Sequence, residues 1–83
     1  MSDNKPGKIT LILDAAEAIG DKENRKLEYV HEVLDDCATL TYFYLSEAAI
    51  QLFVKFQLDF RAAKELKIGL HNSVTFVLSK ECP

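Results

Sequence analysis

Apolar positions recur along this chain mostly at helical spacing. Ile9, Ile12, Leu13, Ala16 and Ile19 follow an i, i+3, i+4 pattern, which predicts a first helix that Gly20 ends. A short strand over Thr10–Leu13, entering a helix at Asp14, fits less well. Leu27, Val30, Leu34, Cys37, Thr41 and Tyr44 then recur at alternating steps of three and four. That is a heptad-like seam and predicts a long second helix from about Glu23 to Leu45. Two features oppose it. Asp35 and Asp36 would lie late in the helix, where acids oppose the macrodipole, and Thr39–Leu45 is β-branched and aromatic, as strands are.

Ser46 and Glu47 supply an N-cap and a first-turn acid for a third helix. Leu52, Phe53, Phe56, Phe60, Ala63 and Leu66 share one broad face of it, and Lys64, Lys67 and Gly69 suit its end. Val54–Phe60 also alternates as a strand would. The deciding observation is punctuation: 48 residues separate Gly20 from Gly69 without one Gly or Pro, and a sheet-rich domain usually needs both at its turns. The expected fold is therefore all-α, a small helical bundle built around an antiparallel helical hairpin that breaks near Ser46. The alternative is α+β, with short strands near residues 8–13 and 73–79 flanking the helices.

Residues 1–7 read as a flexible polar tail and residues 8–83 as a single small domain. So short a chain is marginally stable alone. The apolar stripe on the third helix exceeds what one hairpin partner covers, so a homodimer is expected.

Charge refines this picture. Residues 1–47 hold ten acids against five bases, whereas residues 48–83 hold three acids against five bases. The net charge of −3 argues against general affinity for nucleic acid. Leu40–Phe60 is the richest apolar segment, but Glu47, Lys55 and Asp59 interrupt it, so no membrane span is expected. The polar start lacks the apolar region of a signal peptide, and Cys37 and Cys82 are positioned by nothing in the pattern. Reduced thiols in a cytoplasmic protein are the expectation.

Candidate chemistry is sparse. Glu28 and His31 form a Glu-x-x-His spacing, which on a helix puts a carboxylate and an imidazole on neighbouring turns. Carboxylate-bridged metal bundles use two such motifs with further carboxylates; one chain has one, and a homodimer would be needed to supply the second. Cys37 and His31 are six residues apart, so they face different ways on a helix and form no nucleophile–base pair. Lys55, Arg61, Lys64 and Lys67 give a basic edge and a second alternative, a dimeric nucleic-acid-binding regulator. No metal, cofactor or catalytic residue is assigned.

The interaction surface is drawn instead from aromatics and acids. Tyr42, Phe43 and Tyr44 are consecutive and cannot all face one core on a helix, and tyrosine suits interfaces. Glu28, Glu32, Asp35 and Asp36 make an acidic strip. The expected function is non-enzymatic: a small adaptor, inhibitor or accessory regulator that binds another protein through Tyr42, Tyr44, Glu28, Glu32, Asp35 and Asp36.

Overall fold

In the computed structural model, which describes residues 8–34 and 37–78, the chain is α+β. Two helices and four strands follow in the order α1 (Lys8–Lys22), β1 (Glu28–Leu34), β2 (Cys37–Phe43), α2 (Glu47–Phe60), β3 (Glu65–Gly69) and β4 (Ser73–Val77). The strands form one antiparallel sheet ordered β1-β2-β4-β3. This overturns the expected helical bundle. The segment expected as one long helix is a hairpin, with Glu28 opposite Phe43 and Leu34 opposite Cys37. Asp35 and Asp36 lie outside the described residues. The α+β alternative is half right: Ser73–Val77 is a strand, whereas residues 8–13 open α1.

The heptad-like seam dissolves in a strand because the side-chain period falls from 3.5 to 2. Leu27 is buried before the sheet begins, while Val30 and Leu34 are exposed. On β2 the alternate residues Leu40 and Tyr42 are buried, and on β4 so are Val74 and Phe76. Paired residues of antiparallel strands share a face, so the register of Leu40 with Phe76 and Tyr42 with Val74 makes one apolar face. Both helices cover it. Helix α1 contributes Ile12, Ala16 and Ile19, and α2 contributes Ala49 and Phe53. The Phe53 ring lies 5.1 Å from that of Tyr42 and 5.4 Å from that of Phe76. The opposite face carries Thr41 and Thr75, whose hydroxyls hydrogen-bond at 3.0 Å.

Both helices end elsewhere than expected. Helix α1 runs through Gly20 to Lys22. Helix α2 stops at Phe60, well short of Lys67, because Arg61 takes a left-handed cap conformation (φ 50°) and its N–H bonds back to the Gln57 carbonyl. The Gln57 amide then clamps Ala63: its Nε2 donates to the Ala63 carbonyl at 2.7 Å and its Oε1 accepts from the Ala63 N–H at 3.0 Å. That clamp turns the chain toward β3, whose Leu66 pairs with Phe76.

The start of α2 is as expected. Ser46 is its N-cap, and its hydroxyl oxygen accepts from the Ala49 N–H at 3.0 Å. The same hydroxyl donates to the Glu23 carboxylate, which also pairs with Arg25 at 3.0 Å. Arg25 Nη2 in turn donates to the Tyr44 carbonyl at 3.1 Å. These four residues tie the end of α1 to the start of α2. Ser46→Ala is expected to cost about 1 kcal/mol in urea unfolding.

The hydroxyl bond from Ser46, and then the Arg25 bond, hold the Glu23 carboxyl below its ordinary pKa of 4.5. A carboxyl depressed in the folded state stabilises above its unfolded pKa, and that stabilisation fades as pH falls through the lower folded value. Wild-type stability should therefore fall below about pH 4.5 more steeply than that of Glu23→Gln, whose acid limb should be flatter in the same titration. Equal limbs would show that the latch does not carry charge.

Candidate interaction surface

Strand β1 is an edge of the sheet, and all seven of its residues are exposed. Four are large and apolar: Tyr29, Val30, Val33 and Leu34, the last at 68% exposure. Residues that oppose Tyr42, Leu40 and Ala38 on β2 are Tyr29, His31 and Val33, which places those three on the helix-covered face. Glu28, Val30, Glu32 and Leu34 lie on the other.

One hydrogen bond fixes which backbone groups face outward. The Leu78 N–H donates to the Ala38 carbonyl at 2.8 Å, in register with the β2–β4 ladder. Ala38, Leu40 and Tyr42 therefore direct their backbone groups toward β4, and Cys37, Thr39, Thr41 and Phe43 direct theirs toward β1. Their partners Leu34, Glu32, Val30 and Glu28 are thus used within the sheet. Tyr29, His31 and Val33 turn their N–H and C=O groups away from β2, along the open edge.

Beside this edge lies a groove of about 530 Å3. Leu13, Ala16 and Gly20 of α1 form one wall; Leu27, Tyr29 and Tyr42 line it from the sheet side. The Tyr29 and Tyr42 rings are 5.2 Å apart. Burial, and then the neighbouring Tyr29, push the Tyr42 hydroxyl well above the ordinary tyrosine range, so it is neutral at physiological pH.

The residues expected at the surface separate accordingly. Glu28 and Glu32 are exposed on one face of β1, about 13 Å apart along the strand. Tyr44 is 62% exposed, in a left-handed conformation (φ 56°) with its ring near those of Phe43 and His71. Tyr42 is 1% exposed and belongs to the core, because its even position on β2 faces the helices. Asp35 and Asp36 lie outside the described residues. Val30, Val33 and Leu34 were missed at the surface; the signal for them was the strand propensity of Thr39–Leu45, which implies a partner strand just before it.

The other candidates disperse. Glu28 and His31 stand three apart on a strand, so they point to opposite faces and the helical metal motif does not form. Among the described residues no group of three His, Cys, Asp or Glu could hold a metal. Lys55 lies on α2, paired with Asp59 at 3.2 Å, Arg61 caps that helix, and Lys67 is on β3, so these bases share no helix face. Cys37 is disulfide-bonded, where reduced thiols were expected; Cys82 lies outside the described residues. Among the described residues no helix is long and apolar enough to cross a membrane. Comparison with protein-family models, with curated proteins and with solved structures finds no match.

Proposed function

We propose that this chain acts by binding another protein through strand β1, as a small non-enzymatic adaptor, inhibitor or accessory regulator. The observation that carries the reading is the exposed edge, whose outward backbone groups no other strand of the sheet uses. Natural sheets blunt their edges with charged side chains, lysine above all, and with proline, bulges or a covering element. Strand β1 carries Glu28 and Glu32 but neither lysine nor proline, keeps one uninterrupted register over its whole length and is exposed throughout. Edges of this kind recruit a further strand by backbone hydrogen bonding. The expectation of a cytoplasmic setting rested on reduced thiols, and the disulfide at Cys37 removes that support, since such bonds persist chiefly in oxidising compartments.

The test uses the outward N–H of Val33. Proline there removes an edge donor without touching a β1–β2 bond. A partner recovered by the tagged wild-type chain from lysate of its native cells should be lost with Val33→Pro and kept with Lys55→Ala, which alters a distant helix. The circular dichroism spectrum checks that the proline variant folds; Val33→Lys, which charges the edge, replaces it if not. Recovery undiminished by a folded edge variant would sink the reading.

A further inference from the structure

Resting on that reading, we infer that the occupant of β1 is an extended segment of another protein that carries lysine or arginine on one face and apolar side chains on the other. The backbone sets the first requirement. Tyr29, His31 and Val33 offer their N–H and C=O groups at every second position, so an added strand of about seven residues can bond to the edge without disturbing the β1–β2 ladder.

The two faces of β1 then differ in what they ask of that strand. On the helix-covered side its residues would stand beside Tyr29, His31 and Val33. The groove between α1 and Tyr29 has an apolar wall in Leu13 and Ala16, with Glu17, Asp21, Asn24, Arg25 and Lys26 completing its lining, so apolar side chains fit that wall. On the other side they would stand beside Glu28 and Glu32, both exposed. Neither glutamate is engaged by a cation among the described residues. Among the described residues the ion pairs join Arg25 to Glu23 and Lys55 to Asp59. Opposite charges facing each other across paired strands stabilise, and like charges destabilise.

That charge pattern disfavours a second copy of this chain in the registers that pair most of β1. Antiparallel self-pairing centred on Val30 would set Glu28 opposite Glu32. Centred on Glu32, it would set that residue opposite itself. Centred on His31, it would abut two imidazoles and gather four glutamates on one face. Each of these three registers brings like groups together, whereas a basic strand meets both carboxylates.

Two labelled heptapeptides test the assignment, one alternating lysine with valine and one alternating glutamate with valine. Fluorescence anisotropy at low salt should show the lysine peptide binding about tenfold or more tightly than the glutamate peptide, and weakening as salt screens the charges. The Glu28→Lys/Glu32→Lys double variant should invert the preference. Amide exchange at Tyr29, His31 and Val33 should slow when the lysine peptide is added. Equal binding of both peptides, or binding of neither, overturns the assignment. So does slowed exchange at those amides that follows protein concentration alone with a doubled solution mass, which would make a second copy the occupant. A cellular partner lost with Val33→Pro but kept by the charge-reversed double variant also overturns it, and leaves protein binding at β1 standing. A partner indifferent to both overturns the two together.

Discussion

Phe53→Ala is expected to destabilise the protein by about 3–5 kcal/mol, the range for deleting a fully buried aromatic ring. Phe53 is 0% exposed and is the point where α2 meets the sheet, with Tyr42 against one part of the ring and Phe76 set edge-on at 72° to it. Tyr42 and Phe76 are themselves fully buried and belong to adjacent strands. Removing the ring thus opens a void between helix and sheet rather than at a rim that can collapse. For a chain of this length the whole folding free energy is only about 4–12 kcal/mol, so the variant should melt roughly 12–40 °C lower or populate the unfolded state outright. Phe60→Ala is the internal contrast. Its ring lies 5.2 Å from that of Phe56, tilted at 39°, but is 64% exposed, so its loss should stay below about 1 kcal/mol. Urea denaturation of both checks the difference. Comparable losses would place the centre of the core elsewhere.

Several elements of this fold are legible from residue order. Ser46 as the cap of α2 and the Ile12–Ala16–Ile19 stripe of α1 are local signals, and each matches its environment; the β4 strand was legible only as the alternative to a helical bundle. The β1–β2 hairpin is different. Its exposed Val30 and Leu34 happen to fall at heptad spacing from Leu27, so period alone selects a helix, and only the strand propensity of residues 39–45 opposes it.

The missing glycines mislead for a physical reason. Among the described residues the chain makes its left-handed turns with Asn24, Tyr44, Arg61, His71 and Asn72, and no glycine has a positive φ. Asparagine tolerates that region, but tyrosine, arginine and histidine adopt it at a cost that the surrounding contacts must offset. Arg61 is held by its N–H bond to Gln57, and Tyr44 by the His71 and Arg25 bonds at its N–H and C=O. Turn chemistry was therefore invisible to a rule that looks for Gly and Pro. The interaction surface was half legible on the same ground. Glu28 and Glu32 share a face whether the segment is helix or strand, because a separation of four suits both periods. Tyr42 and Tyr44 carry no such protection: the strand sends Tyr42 inward, and Tyr44 leaves the strand altogether.

Gly20→Ala should destabilise by about 1–3 kcal/mol, although α1 is a helix and alanine is the better helix former by about 1 kcal/mol. The two effects have opposite signs, which makes the experiment decisive about why a glycine stands there. A Cβ on Gly20 would lie 2.6 Å from the Arg25 carbonyl oxygen and 3.6 Å from Leu27 Cγ. The closer obstacle is backbone, so no rotamer change relieves it. That backbone is also held in place: the Arg25 N–H donates to the Gly20 carbonyl at 2.9 Å, and the Glu23 N–H bonds to the same oxygen at 3.1 Å. Pushing Arg25 away would strain these bonds and the guanidinium contact to the Tyr44 carbonyl, loosening the link between α1 and α2. It would also shift Leu27, which precedes β1 and lines the groove. Ala18→Gly, at an exposed position of the same helix, calibrates the propensity effect alone and should cost about 0.5–1 kcal/mol. If Gly20→Ala proves as stable as the wild type in urea, residues 25–27 yield to the new methyl group, and the approach of that turn to α1 is a convenience of packing. If it is destabilised as expected, close contact sets this glycine, and the position of β1 depends on it.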